Sequence, residues 1–271
     1  YASVKYEYDF FGNCVREFYY DEKGLPAKQI DGIYGQLREY KLLGYGRLDS
    51  ITYLGENGEP APRTSDGYAT VTYKYDLKGN IIGERYFDVS GAPFAQPSGQ
   101  YGCNREFDSK KQVTSLTYVD VEGNPIMITS GFATVRYIGY DDNKVSLGER
   151  YYDEQGNPVA LAKGQYGFDS ENNDLKQMVS QTFVDANGNP MMITDGYSTI
   201  KRAYDDAGNV TEEYYYDTDM KPVTSVNGYY GIIRTYDSDK KVISQKYVLE
   251  DGYKVEEVVV KLPNLSRLQL A

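Results

Sequence analysis

An alternation of large and polar residues along the chain predicts β-strands. In residues 71–75, Val71, Tyr73 and Tyr75 fall on one face of an extended segment and Thr72 and Lys74 on the other. The phrase Tyr-Asp-x-x-Gly-Asn at 75–80 returns at 204–209, where a second run of β-forming residues, 210–216, follows it. Asp at the start of such a turn and Gly at its fourth position predict a hairpin turn with a residue of positive φ. Since no window of about ten residues has helical periodicity with caps, we expect an all-β protein.

The chain consists of internal repeats of two alternating types. A glycine-led opener recurs at residues 32, 67, 99, 131, 164, 196 and 228, in steps of 32 to 35 residues. Type one opens with Gly-Tyr-Ala-Thr-Val at 67–71 or a variant of it, type two opens with Gly-Gln-Tyr-Gly at 99–102 or a variant of it, and the segment 1–4 is a type-one opener without its glycine. The predicted repeats are 1–31, 32–66, 67–98, 99–130, 131–163, 164–195, 196–227 and 228–254.

A second motif confirms the same period. Five repeats carry an Asp-x-x-Gly-x-Pro turn, and two more keep its proline. Seven of the ten prolines occupy this position: Pro26, Pro60, Pro93, Pro125, Pro158, Pro190 and Pro222. Each repeat is therefore predicted to run through a strand, a tight turn, a second strand, the proline turn and a short extended return to the next opener.

These features predict tandem β-hairpin repeats, eight of about 32 residues, stacked into an elongated solenoid or superhelix. A closed sandwich or barrel is the alternative, because its strands are also evenly spaced. The segment 255–271 departs from the repeat pattern and is expected to be a C-terminal cap or tail. The opener that lacks its glycine suggests a piece of a longer array.

Composition and charge exclude several kinds of function. The 271 residues include 29 Lys and Arg, 40 Asp and Glu and no His, for a net charge of −11. Nucleic acid is not an expected partner and neither is membrane insertion, because clustered basic surface and a long apolar span are both missing. Imidazole catalysis is impossible, and two distant cysteines, Cys14 and Cys103, do not make a disulfide framework or a metal motif.

The acidic residues do not form a recognisable metal or catalytic motif. The turn Asp185-Ala-Asn-Gly-Asn superficially resembles a calcium loop, but the ligand spacing and the closing Glu of an EF-hand are absent. Carboxylates that recur in every repeat are better explained by turn geometry than by a catalytic pair. We therefore expect no enzyme activity, no metal and no cofactor.

Tyrosine is the exceptional residue, with 30 copies, whereas Trp is absent. Aromatic residues occur in adjacent pairs at 19–20, 86–87, 151–152 and 215–216, and neighbours on a strand point to opposite faces. One ring of each pair should therefore lie away from the core face of its hairpin. Such rings could pack between repeats, or they could be platforms for sugar rings. The candidate ligand-binding residues are Tyr20, Tyr86, Tyr152 and Tyr216 from the pairs, and Tyr101, Tyr166 and Tyr230 from the openers.

The turn phrases resemble known bacterial repeats. Tyr-Asp-Leu-Lys-Gly-Asn-Ile at 75–81 and Tyr-Asp-Asp-Ala-Gly-Asn-Val at 204–210 resemble the YD repeats of Rhs-type and teneurin proteins, which are β-rich arrays that wrap into shells. Tyr-Tyr-Asp-Glu-Gln-Gly-Asn-Pro-Val at 151–159 is similar to the tyrosine-rich hairpins of glucan-binding, choline-binding and clostridial cell-binding modules. Those modules are shorter per repeat and usually carry Trp, so the resemblance implies no choline cage here. It implies a noncatalytic, surface-associated bacterial module.

Three functional hypotheses follow. The first is a bacterial cell-surface or extracellular module that binds a glycan or cell-envelope polymer through repeated rings, with weak sites reinforced by multivalency. A basic strip of Arg85, Arg105, Arg136 and Arg150 would widen the choice of polymer. The second is a structural scaffold or adhesion stalk that interacts with other domains of a longer chain, and the third is a segment of a YD-type shell. The exposure of the paired rings distinguishes binding from scaffolding.

Overall fold

The described part of the protein is all-β. The computed structural model describes residues 1–41, 46–249 and 255–258, and no helix occurs among them. The strands are β1 Ser3–Tyr8, β2 Cys14–Tyr20, β3 Gly35–Tyr40, β4 Leu48–Leu54, β5 Thr70–Tyr75, β6 Ile81–Phe87, β7 Gly102–Phe107, β8 Val113–Val119, β9 Thr134–Tyr137, β10 Gly148–Tyr152, β11 Gly167–Asn172, β12 Met178–Val184, β13 Thr199–Tyr204, β14 Val210–Tyr216, β15 Gly231–Tyr236, β16 Val242–Val248 and β17 Val255–Val258.

The chain divides into two compact units. The N-terminal unit comprises Tyr1–Arg136 and Tyr151–Asn157, and the C-terminal unit comprises Tyr137–Arg150 and Pro158–Ala271. In the N-terminal unit, β1 to β9 pair antiparallel, each with the strand that follows it. In the C-terminal unit, β10 to β17 do the same. Within the described residues of each unit the ladders join only consecutive strands, so tandem hairpins form an open sheet, as predicted, and not a barrel.

Side-chain hydrogen bonds and backbone conformation define the hairpin turns, as the turn phrases predict. Asp108 is typical, because its Oδ1 accepts the amide hydrogens of Lys110 and Gln112, each at 2.8 Å. The fourth turn residue, such as Gly79 with φ 87°, is left-handed. Where lysine replaces this glycine, as at Lys176, φ is still 63°, so the turn geometry is kept at the cost of backbone strain.

The return segments differ from the sequence prediction. We expected a short extended return, but each return contains a second hydrogen-bonded turn that ends at the opener glycine. In the C-terminal unit the Ile193 amide donates to the Tyr197 carbonyl at 2.9 Å, and Gly196 has a φ of 91°. The opener glycine therefore recurs because this turn requires a left-handed residue, and β-propensity alone could not reveal that requirement.

Much of the core lies between one face of the strands and these return segments, whereas Leu54, Val119 and Val184 at strand ends are buried on the other face. In the C-terminal unit the buried cluster contains Phe183, Tyr197, Ile200 and Tyr215 from the sheet and opener side, with Ile193 from a return segment. The opener and strand residues Ala69, Val71, Ala133 and Val135 are buried in the N-terminal unit. A single hairpin could not bury its apolar face alone, so each repeat depends on its neighbours.

Candidate functional site

Many aromatic rings form a stacked series on the core face of the strands. We call this set the ring series, and in the N-terminal unit it contains the runs Tyr53–Tyr68–Tyr86 and Tyr118–Phe132–Tyr151. In the C-terminal unit it contains the run Phe183–Tyr197–Tyr215–Tyr229–Tyr247. The closest pair, Tyr197 and Tyr215, has ring centroids 4.5 Å apart and planes inclined by 16°. Rings at this spacing attract one another beyond the area they bury, so the series joins neighbouring repeats.

The opener sequence explains the composition of the ring series. A type-one opener places an aromatic residue directly after its glycine, as at Tyr68, Phe132 and Tyr197. Two type-two openers carry Gln100 and Gln165 there instead, whereas a third carries Tyr229. The longest run of rings therefore lies where Tyr229 continues the contact from Tyr215 to Tyr247.

Charged groups lie beside the ring series. Glu84 pairs with Arg105 at 2.8 Å, and Glu213 pairs with Arg234 at 2.7 Å. In the first repeat Glu17 pairs with Arg38 at 2.9 Å and accepts a hydrogen bond from the hydroxyl of Tyr19. Burial opposes the charge of Glu17, but the hydrogen bonds from Tyr19 and Arg38 outweigh it and lower the pKa of this carboxyl. These partnered ions link type-one strands to the following type-two strands.

The buried phenols and the thiol of Cys103 stay protonated near neutral pH. Burial raises the pKa of Tyr197 to about 12, and it also raises the pKa values of Tyr68, Tyr86 and Tyr215. Burial likewise raises the pKa of the Cys103 thiol to about 11, and both cysteines are free. The hydroxyls and thiol therefore stay protonated and neutral.

The paired tyrosines do not all share one face. Tyr86 lies in the ring series, where its centroid is 4.8 Å from that of Tyr68. Tyr20, Tyr152 and Tyr216 end their strands on the opposite face and are partly buried. The sequence contains a signal for this difference, because the phrase Gly-Glu-Arg-Tyr at 83–86 and 148–151 aligns Tyr86 with Tyr151. Phe87 is thus the repeat counterpart of Tyr152.

Cations of the chain itself cover two rings on that opposite face. The guanidinium carbon of Arg136 lies 4.2 Å from the ring centroid of Tyr152, and Nζ of Lys201 lies 5.5 Å from that of Tyr216. Tyr20 instead contacts Phe18, with centroids 5.5 Å apart. A cation over an aromatic face is a stabilising contact and competes with a ligand for that face.

The opener tyrosines occupy a third position. Tyr101, Tyr166 and Tyr230 precede the first residues of β7, β11 and β15 and are partly buried. Their amides donate to the ends of β8, β12 and β16, for example from Tyr101 to the Val119 carbonyl at 2.8 Å. The seven candidate rings therefore occupy three separate positions in the repeats and do not form one row.

Three tyrosines that end the first strand of a hairpin, two of them in Tyr-Asp phrases, have a role that sequence reasoning missed. The hydroxyl of Tyr40 donates to the carbonyl of Cys14 at 3.0 Å, that of Tyr204 to Met178 at 2.8 Å and that of Tyr236 to Val210 at 2.8 Å. Each bond spans 26 residues and ties a strand end to the preceding repeat. The regular spacing of these phrases was visible in the sequence, but the backbone acceptor was not.

The predicted basic strip is largely occupied by internal contacts. Arg105 pairs with Glu84, and Arg150 pairs with Asp169 at 2.6 Å. Arg136 covers Tyr152, and Arg85 donates to the carbonyl oxygens of Glu84 and Cys103. These residues therefore do not form a continuous positive surface.

The described residues contain neither a metal-binding cluster of side chains nor a helix that could cross a membrane. No group of three or more Cys, Asp or Glu side chains in 1–41, 46–249 and 255–258 is arranged to hold a metal ion. Across the same residues, no helix has the length and apolar character needed to cross a membrane.

Comparisons with known proteins gave structural matches alone. No protein family and no curated protein matches the sequence. The crystal structure of TcdB2-TccC3-TEV is similar with a TM-score of 0.37 and 14% identity, over 90% of this chain and 14% of that chain. A Tc holotoxin pore of Photorhabdus luminescens matches with a TM-score of 0.27 and 14% identity, over 91% and 14% of the two chains. Alternansucrase in complex with isomaltononaose matches with a TM-score of 0.16 and 16% identity, over 92% and 16%. The chain spans about one seventh of the length of the toxin chains it matches.

Proposed function

We propose that this chain is a noncatalytic structural repeat module, whose sheet forms a wall or spacer segment within a larger bacterial surface or secreted protein. The observation that carries this proposal is the ring series, in which tyrosines are used for packing between neighbouring repeats. The Tyr-Asp phrases at 204–205 and 236–237, whose tyrosine hydroxyls bind the preceding repeat, add support. A segment of a YD-type shell is the specific form of scaffold that these phrases favour.

The experiment for this proposal compares two classes of tyrosine. Tyr197→Ala removes a ring of the series, whereas Tyr152→Ala removes a ring of the opposite face. A scaffold role requires that Tyr197→Ala lowers the unfolding midpoint strongly and that neither variant changes retention on a panel of insoluble polysaccharides. Specific retention of the wild type that Tyr152→Ala abolishes, with folding intact, would refute a purely structural role.

A glycan-binding module is the second candidate function. It is favoured by the partial exposure of Tyr20, Tyr152 and Tyr216 on the face opposite the ring series. Sugar rings stack on such aromatic faces, and hydroxyls of a neutral glycan would use nearby polar residues. The double variant Tyr152→Ala with Tyr216→Ala, tested in glycan-array binding, should then lose at least about tenfold in apparent affinity through loss of multivalency.

A further inference from the structure

A small recess lies over β5 and β6 in the N-terminal unit. It has a volume of about 210 Å³ and is lined by Thr72, Tyr73, Lys74, Gly83, Glu84 and Arg85. These residues form three consecutive cross-strand pairs, Thr72 with Arg85, Tyr73 with Glu84 and Lys74 with Gly83. Since alternate residues point to opposite faces, the outer two pairs share one face, on which a Cβ at Gly83 would lie 3.3 Å from Oδ1 of Asn104.

The recess carries two cations that lack a carboxylate partner in the described part of the chain. Lys74 is exposed and forms no ion pair there. Arg85 donates from Nη1 to the carbonyl oxygens of Glu84 at 2.7 Å and Cys103 at 3.1 Å, and from Nη2 to Oδ1 of Asn104 at 3.0 Å. A guanidinium has five N–H donors, so Arg85 keeps two of them for another acceptor.

A second copy of the same phrase shows that this charge arrangement is specific. Gly148-Glu149-Arg150 repeats Gly83-Glu84-Arg85, and Arg150 also donates to two backbone carbonyls. There, however, Asp169 takes the place of Asn104 and neutralises Arg150 at 2.6 Å. Features shared by both copies serve the fold, whereas the uncompensated charge occurs in the copy at Gly83.

The neighbouring carboxylates do not pair with the two cations of the recess. Glu84 points to the other face, where Arg105 pairs with it at 2.8 Å. Glu39, on the strand beyond β4, accepts a hydrogen bond from Ser50 at 2.9 Å. Glu106 is exposed two residues beyond Asn104 and is the nearest carboxylate along β7 on this face.

We propose that the recess over Gly83 binds an oxyanion group, such as the carboxylate of an acidic sugar or a phosphate. Lys74 contributes a mobile charge, Arg85 contributes two free donors, and the hydroxyl of Thr72 contributes a neutral hydrogen bond. Charge-assisted hydrogen bonds of this kind are shorter and stronger than neutral ones. The recess is large enough to hold a phosphate or a single sugar ring, but a larger ligand would extend beyond it. This site is independent of the structural role proposed above.

The test is a titration of the full chain with inorganic phosphate, glucuronate and neutral glucose, followed by amide chemical shifts in NMR at low salt. We expect saturable shifts at Gly83 and Arg85 with an oxyanion and none with glucose. A response to glucuronate but not phosphate would assign a sugar carboxylate, and the reverse would assign a phosphate group. Lys74→Gln should weaken binding by about fivefold, which is the upper range for one exposed ion pair.

The two copies of the Gly-Glu-Arg phrase, at 83–85 and 148–150, allow matched test and control variants. Asn104→Asp places in the first copy the carboxylate that Asp169 provides in the second, so it should weaken binding by about tenfold while the unfolding midpoint stays unchanged. Asp169→Asn, the reverse exchange at the other copy, should leave the affinity at Gly83 unaltered. Equal binding by the wild type and Asn104→Asp, shifts confined to exposed lysines such as Lys110 and Lys111, or no shifts at millimolar oxyanion would each overturn the proposal.

Discussion

Gly102 is a position at which a single methyl group should disturb the fold strongly. Its φ is not left-handed, so the backbone itself would accept alanine. A Cβ at this position would, however, overlap the carbonyl oxygen of Glu84 on β6 and lie 2.8 Å from Cδ of Arg85. The backbone oxygen cannot rotate away, so Gly102→Ala must push β7 away from β6, where Gly102 pairs with Arg85.

The expected loss of stability in Gly102→Ala has two contributions, overpacking and weakened hydrogen bonds. Overpacking costs about 1–3 kcal/mol, and each weakened ladder hydrogen bond adds about 1 kcal/mol. We therefore expect Gly102→Ala to lower the free energy of unfolding by about 3 kcal/mol. The control is Gly91→Ala in the same unit, where φ is 82° and a Cβ meets nothing within 4 Å. Strain in a left-handed residue, partly offset by the lower entropy of the unfolded chain, predicts a cost of about 1 kcal/mol there.

Equilibrium urea denaturation followed by far-ultraviolet circular dichroism measures both variants. Midpoints and slopes should be compared together, because a repeat array can lose cooperativity when one interface weakens. Amide hydrogen exchange at Tyr86, whose amide donates to the Tyr101 carbonyl at 3.0 Å, would localise the loss to the β6–β7 pair. A Gly102→Ala protein as stable as Gly91→Ala would refute the claim that close backbone approach, and not conformation, requires this glycine.

Three further predictions concern the turns and the ring series. Lys176→Gly relieves a left-handed φ of 63° and should raise stability by about 0.5–1 kcal/mol in urea denaturation, whereas Gly208→Ala should lower it by about the same amount. The side chain of Asn209 lowers the pKa of Asp205, and the amide of Asn189 lowers that of Asp185. Because these folded-state pKa values are depressed, the stabilisation by the two carboxylates is present above about pH 4 and is lost as pH falls below it. Thermal unfolding midpoints should therefore drop below about pH 4. The drop should be smaller in Asp185→Asn, because an Asn side chain can cap the turn without titrating, as Asn173 does in another turn. Tyr197→Ala should lower the free energy of unfolding by about 3–5 kcal/mol, because the ring is 7% exposed and stacks on Tyr215. Tyr197→Phe should lower it by about 1 kcal/mol or less, because the hydroxyl contact with Asp195 is long at 3.4 Å. Similar losses in both variants would contradict the ring-packing argument.

The architecture could be predicted because its signals are local and repeated. Alternation in 71–75, the Asp and Gly of each turn and the recurring proline each specify backbone geometry within a few residues. Repetition then extends one hairpin to the chain. The turn inside each return was missed, because the opener glycine precedes a strand and no local pattern distinguishes a turn residue from a flexible linker there.

The candidate site was harder to predict, because it depends on which face each ring occupies. Adjacent residues on a strand point oppositely, so a one-residue error in alignment exchanges a core ring for a surface ring. Tyr86 and Tyr152 are both members of aromatic pairs, yet Tyr86 stacks on Tyr68 and Tyr152 lies under Arg136. The pattern of pairs establishes that two faces exist, whereas the longer phrase shared by 83–86 and 148–151 establishes which residue belongs to which face.

Residue differences between equivalent positions of different repeats indicate where a repeat protein can bind a ligand. A residue present in every repeat of one type serves stacking between repeats, as the partnered Glu84 and Glu213 of the type-one repeats illustrate. Chemistry available to a ligand must come from a repeat in which that partnership is broken. Arg85 and Arg150 have the same backbone contacts, and one amide in place of one carboxylate, Asn104 for Asp169, separates a free cation from a neutral pair. In such arrays, deviations from the consensus at contact positions are therefore better indicators of binding sites than the abundant consensus residues themselves.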